Sequence, residues 1–216
     1  YINLDREALK NNSTCEESDV EKNSIPYVMH GKALRDCEYK IVDDAGKSLP
    51  EKIIGNIKIR GANVTKEIYQ DKNTTNEIID IDGWLSTGDC GAVIDNNLII
   101  TGRKKEIIII NGQNYYPSDI ENIIIQGGNF DLRKIVACGA INQNTQNDQL
   151  IVFVLYKNDL NVFKSIAEEI RRIVIQQLNL EIDHVIPIKK IPKTTSGKIQ
   201  RIRLSSEYSN GAFSGY

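Results

Sequence analysis

Thr101-Gly102-Arg103-Lys104-Lys105-Glu106-Ile107-Ile108-Ile109-Ile110-Asn111-Gly112 divides the chain into two kinds of sequence. A glycine is followed by three cations, then by an apolar run, and Asn111-Gly112 ends the run as a turn, since both residue types tolerate positive φ. The run from Glu106 to Ile110 shows no alternation, which predicts a strand covered on both faces. A helix follows: Pro117 suits its first turn, and Asp119 and Glu121 lie early, where acidic groups complement the helix dipole. Further on, strands are expected at Lys134 to Ala140 and Gln149 to Lys157. Then comes an amphipathic helix whose apolar residues Phe163, Ile166, Ile170, Ile173, Val174 and Leu178 recur at three and four positions.

Upstream of Gly102 the pattern is different. Short β-rich runs, Tyr39 to Val42, Gly55 to Arg60 and Glu77 to Ile81, are broken by turn residues and read as a meander. Gly91 to Thr101 reads as two strands around Asp95-Asn96-Asn97. Residues 1–31 are polar with little periodicity, which predicts a short helical turn and a thinly packed exposed loop. The fold class is therefore α+β: a β-rich segment, a distorted antiparallel barrel or sheet, at 1–102, then a small mixed α/β domain at 103–216.

Composition narrows the function classes. The chain has 216 residues, 40% hydrophobic and 26% charged, with 27 Lys+Arg against 29 Asp+Glu. A net charge of −2 gives no global field suited to nucleic acid or an anionic membrane. No apolar run approaches the roughly 20 residues that span a bilayer, so a cytoplasmic protein without a membrane span is expected. Cys15, Cys37, Cys90 and Cys138 form no CxxC or Cys/His cluster, which argues against zinc or a disulfide scaffold. His30 and His184 flank no nucleophile motif such as GxSxG, so a Ser/His hydrolase is unsupported. The chain starts at Tyr1 and its only methionine is Met29, so a piece of something longer is expected.

Three stretches place glycine beside polar groups in ways that suit a ligand. In Gly83-Trp84-Leu85-Ser86-Thr87-Gly88-Asp89 the carboxylate of Asp89 is able to accept two hydrogen bonds from a vicinal diol, and the competing reading is an aspartate capping a tight turn. In Arg103-Lys104-Lys105 a guanidinium is suited to clamping phosphate or ribose, and the competing reading is a solvated linker. In Pro192-Lys193-Thr194-Thr195-Ser196-Gly197-Lys198-Ile199-Gln200-Arg201, Gly197 lets backbone approach a ligand and Lys198 is able to neutralise an anion. This last stretch is no P-loop: it lacks an earlier Gly at the required spacing, and Ile199 stands where Ser or Thr would hold Mg²⁺. From His184 to Arg203 there are six Lys or Arg and no acid, a basic tail that suits an anionic partner or is a bland basic surface.

Read in order, the three stretches resemble the AMP-forming ligases: acyl-CoA synthetases, nonribosomal peptide adenylation domains and luciferases. Within that superfamily the run from Thr101 through Tyr115-Tyr116-Pro117-Ser118-Asp119-Ile120-Glu121 is most similar to the fatty acyl-AMP ligases. Asp5-Arg6-Glu7-Ala8-Leu9 and its polar sequel resemble the insertion, here about 1–31, that marks the subgroup. Met29-His30-Gly31 departs from the Cys-Gly pair common there, and Tyr115 replaces a frequent His.

The resemblance implies roles residue by residue. Asp89 would bind the ribose hydroxyls of an adenylate, with Arg103 assisting at the same ribose and phosphate. Lys105 would be the hinge of a mobile small domain, Gly112 would line the route of the thiol acceptor, and Lys198 would bridge the attacking carboxylate and the α-phosphate. No metal site is expected in this chain. The complete enzyme would use ATP and Mg²⁺, because the phosphate loop and the adenine and magnesium motif would lie upstream of Tyr1. The chain alone would hold no cofactor and lack activity. The implied reaction joins a fatty acid and ATP to acyl-adenylate and pyrophosphate, then passes the acyl group to the phosphopantetheine arm of an acyl carrier protein. Carrier proteins are acidic, which suits the basic tail, and the insertion would restrain the domain swing and disfavour CoA. Two other readings stand beside this one: an acyl-CoA synthetase, and a noncatalytic module docking an acidic carrier through Lys189, Lys190, Lys193, Arg201 and Arg203.

Overall fold

The structure is a computed structural model that describes residues 1–20, 23–128, 130–131, 133–142 and 148–213. The chain divides into two compact units, Tyr1–Lys105 and Glu106–Tyr216. The division falls three residues beyond the boundary expected at Gly102.

In the first unit, β3 (Cys37–Val42), β4 (Gly55–Gly61), β5 (Leu85–Ile94) and β6 (Asn97–Arg103) form an open antiparallel sheet in that order. The β5–β6 turn uses Asp95 and Asn96 at φ 48° and 62°, the left-handed pair that a two-residue hairpin needs. The register shifts between Cys90 and Gly91. At Gly91 a Cβ would lie 2.0 Å from the Ile99 carbonyl oxygen, so only glycine lets the two strands approach this closely.

Residues 1–31 depart from the thin packing expected of them. β1 (Ile2–Asp5) and β2 (Ser24–Tyr27) pair antiparallel, with α1 (Arg6–Asn12) following β1. Ile2, Leu4, Leu9, Cys15, Ile25 and Tyr27 are buried in one cluster with Ala92, Ile94 and Ile99 of the sheet. Backbone bonds fasten the segment further: the Cys15 N–H donates to Lys52 O at 2.7 Å and the His30 N–H to Leu98 O at 2.8 Å. Alternation over four residues is too short to stand out against the polar background, which is why the sequence pattern hid these strands. The strand expected at Glu77 to Ile81 is also corrected. Lys72–Ile78 is a helix, α2, because the Asp71 carboxylate accepts the Thr74 N–H at 2.9 Å as an N-cap. Only the isolated bridge Ile79↔Leu85 remains of the expected strand.

The second unit opens with a hairpin, β7 (Ile108–Ile110) and β8 (Gln113–Tyr115), closed by Asn111-Gly112. This stretch is not covered on both faces as expected, since Ile108 is buried while Ile109 is 50% exposed. A two-stranded ribbon has only one face to bury. The strand that does carry a continuous apolar run is β10 (Asp148–Leu155), which lies between β9 (Ile135–Ile141, antiparallel) and β11 (His184–Ile188, parallel). Its residues alternate between two cores. Leu150, Val152 and Val154 pack with Ile120 and Ile124 of α3 (Pro117–Gly128) and with Phe163, Ile170 and Val174 of α4 (Leu160–Leu178). Ile151 and Phe153 pack on the other side with Leu204 of α5 (Arg201–Ser209). Helices thus cover both faces of a three-stranded sheet.

Candidate functional site

The first unit carries Asp89 and Arg103. They are cross-strand partners in register on β5 and β6, and the Arg103 Nε lies 3.3 Å from Asp89 Oδ1, with the side chains 57% and 30% exposed. Asp89 therefore does not cap a turn. It lies within a strand, its backbone N–H donating to Thr87 Oγ1 at 3.1 Å, while that hydroxyl donates to the Ile57 carbonyl at 2.9 Å. At the start of the motif the buried Trp84 ring meets two cations: Lys40 Nζ is 4.2 Å and Arg60 Cζ 4.5 Å from its centroid. The Trp84 backbone N–H donates to Asp80 Oδ1, and the same carboxyl binds Lys58 at 3.0 Å. Burial pushes this carboxyl up, but the Trp84 and Lys58 bonds outweigh it and hold Asp80 below the usual range. The motif thus presents a partly exposed carboxylate beside a guanidinium on paired strands, a hydrogen-bond acceptor and a donor side by side.

Lys104–Glu106 is a single 3₁₀ turn at the division between the units. Lys104 pairs with Asp44 of the first unit, and Lys105 is exposed. Lys104 and a bond from Asn56 together hold the Asp44 carboxyl below its ordinary range.

In the second unit Gly112 lies exposed in the β7–β8 turn, and Lys198 lies on a second tight loop. Lys193 and Ile199 bridge, the Thr194 N–H donates to Lys198 O at 2.8 Å, and the Gly197 N–H donates to Thr194 O at 2.9 Å. Gly197 takes φ 86°, the left-handed conformation that glycine adopts without strain. The Lys198 N–H donates to Thr194 Oγ1 at 3.1 Å, which fixes the backbone while the lysine itself is exposed. The structure brings Asp89 and Arg103 together in the first unit and places Gly112 and Lys198 in the second.

Sequence reasoning missed one arrangement. Arg201, the first residue of α5, forms a fork with Glu121 of α3: Nη2 lies 2.9 Å from Oε2 and Nε lies 3.2 Å from Oε1. Its Nη1 reaches Glu106 Oε2 at 3.2 Å, and Glu121 Oε1 also accepts the Ala137 N–H at 3.0 Å. Side-chain exposure is 19% for Arg201, 7% for Glu121 and 17% for Glu106. Burial pushes the Glu121 carboxyl above its ordinary value, against the pull of Arg201. Burial also opposes the charge of Arg201, but the two glutamates outweigh it and raise its pKa. Two expectations change as a result. Glu121 is a buried ion-pair partner and not a helix-dipole group, and Arg201 is not part of a free basic surface. Arg203 is paired too, with Glu207 at 2.7 Å, whereas Lys189, Lys190 and Lys193 are exposed. Among the described residues no three His, Cys, Asp or Glu side chains group to hold a metal ion, and no helix is long and apolar enough to cross a membrane.

This combination of folds and ordered motifs is that of the AMP-forming ligase superfamily. Residues 105–215 match the family described as disco-interacting protein 2-like, AMP domain, and the chain belongs to that family. Among curated relatives it is 32% identical over 178 residues to the medium-chain fatty-acid–CoA ligase of Escherichia coli (strain K12), covering 82% of this chain and 31% of that protein. Among solved structures it is similar to the fatty acyl-adenylate ligases from E. coli and L. pneumophila, with a TM-score of 0.86 and 26% identity, covering 100% of this chain and 38% of the other. It is also similar to McyG A-PCP complexed with phenylalanyl-adenylate, with a TM-score of 0.80 and 32% identity, covering 87% and 34%. The chain spans about a fifth to a third of the length of the curated relatives it matches.

Proposed function

We propose that the chain is the C-terminal part of a fatty acyl-AMP ligase. In the complete enzyme a fatty acid and ATP, with Mg²⁺, form an acyl-adenylate and release pyrophosphate. The acyl group then passes to the phosphopantetheine thiol of an acyl carrier protein. The observation that carries the reading is the likeness to the fatty acyl-adenylate ligases over the whole chain, including the β1–α1–β2 segment where the subgroup's insertion is expected. The A-PCP arrangement of a second relative supports a carrier protein as the acceptor.

In this reading Asp89 accepts hydrogen bonds from the ribose diol, and Arg103, already paired with it, supplies positive charge at the same ribose and phosphate. Lys198 binds electrostatically. As negative charge moves from the carboxylate toward pyrophosphate, its ammonium stabilises the transition state by about 3 kcal/mol, as one well-placed oxyanion donor does. Lys105 is the hinge, and Gly112 lines the entry of the acceptor thiol. The exposure of Lys198 on a fixed loop supports such a role, because an amine that enters a pocket by domain rotation must start uncommitted.

The test uses the complete enzyme. Lys198→Ala should lower pyrophosphate release with fatty acid and ATP by about 100-fold or more with the fold intact, and wild-type rates in that variant would refute the assignment. A second reading, an acyl-CoA synthetase, is favoured by the identity with the medium-chain fatty-acid–CoA ligase. Offering CoA and acyl carrier protein in parallel decides between them: acyl transfer to the carrier with little CoA thioester supports the first, and efficient CoA thioester formation supports the second.

A further inference from the structure

The charged residues around the unit division are held by ion pairs that sort sharply by side. Arg103 pairs with Asp89 and Lys104 with Asp44, both inside the first unit. Glu106 pairs with Arg201 inside the second unit, and both of these side chains are more than four-fifths buried. Lys105 stands between the two sets, exposed. The same Arg201 is gripped by Glu121 through three contacts of 2.9 to 3.2 Å and begins α5, three residues after Lys198. The intervening Ile199 and Gln200 are tied as well, by the Lys193↔Ile199 bridge and by the Gln200 N–H donating to Pro192 O at 3.0 Å.

The geometry points to Arg201 and Glu106 as positioning residues for Lys198: the Glu106–Arg201–Glu121 network joins the residue leaving the hinge to the loop that carries the lysine. A rotation at Lys105 is then delivered to Lys198 without slack, because Glu106 and Lys198 belong to one rigid piece. This inference rests on the proposed adenylating role of Lys198 and adds the device that places it. A guanidinium is required at 201 because its planar fork binds Glu121 through two nitrogens while the third reaches Glu106, which a lysine's single ammonium does not reproduce. Burial keeps competing water from these contacts, so their loss loosens the loop and does not merely trade one hydration for another.

The test is steady-state adenylation by the complete enzyme, measured as pyrophosphate release. Glu106→Gln keeps the shape and removes the charge at the more accessible end of the network. It should lower kcat roughly ten- to a hundred-fold per folded molecule and leave KM for ATP and for the acid near wild type, with some loss of melting temperature but a retained fold, since Arg201 keeps its fork with Glu121. Glu106→Asp should recover a substantial part of the lost kcat. Arg201→Lys should show the same split between kcat and KM; if it fails to fold, the two Glu106 variants decide. Wild-type kcat in Glu106→Gln, or a loss that vanishes when rates are expressed per folded molecule, overturns the inference. Activity in Lys198→Ala overturns the proposed function itself, so the two failures are separable.

Discussion

Cys138 lies on β9 with its thiol buried under α5, and burial pushes its pKa up to about 12 against the opposing field of Arg201. An unfolded thiol titrates near 9, so the folded state holds this proton more tightly, and the resulting stability is complete below pH 9 and is lost as pH rises toward 12. The urea unfolding free energy of the wild type should therefore fall relative to Cys138→Ala by up to about 1.4 kcal/mol per pH unit above pH 9. A constant difference between pH 8 and pH 10 would contradict it. At Gly91 an added Cβ meets the Ile99 carbonyl at 2.0 Å, so Gly91→Ala must push β5 and β6 apart, at a cost of about 1 to 3 kcal/mol by urea denaturation. Residue types alone told which groups were chemically able to act, as with Asp89, Arg103 and Lys198. They did not tell which were already engaged: Glu121 finds Arg201 80 positions away, a distance no local pattern encodes.

Among the elements, α4 was the easiest to read, because its apolar stripe persists through 19 residues and ends at Asn179 in the left-handed region. Its N-cap is Asp159, whose carboxylate accepts the Asn161 N–H at 3.0 Å, so Asp159→Ala should lower the stability of the second unit by about 1 kcal/mol, measured by thermal unfolding. α2 was illegible for the opposite reason. It buries no residue, and its Asn and Thr content disfavours helix, so its cap at Asp71 is what holds it. Asp71→Ala should speed amide hydrogen exchange at Thr75 to Ile79 with little effect on the global transition. Equal protection in both proteins would show that packing supports α2 instead. The four-residue strands β1 and β2 escaped notice because each shows a single alternation, and their pairing closes over the chain between them.

At the scale of the whole molecule, the chain divides after Lys105 and the ion pairs sort to either side of that division. On the proposed function, Lys105→Pro fixes one backbone dihedral at the hinge. Pyrophosphate release and acyl transfer to the carrier should then respond unequally, since a two-position cycle needs both hinge states. Equal effects on both half-reactions, or none, would argue against a hinge at this residue. By itself the sequence carried the long amphipathic helix α4, the hairpin around Asp95-Asn96 and the ordered motifs of the AMP-forming ligase superfamily, because each of these is written in spacings of a few residues. Only the tertiary structure decided which charges are free and which are bound, leaving Lys198 exposed while Arg201, three residues later, is locked between Glu106 and Glu121. The physical reason is that burial and pairing arise from contacts between segments 80 to 95 residues apart, and these exist only once the sheet and its helices have packed.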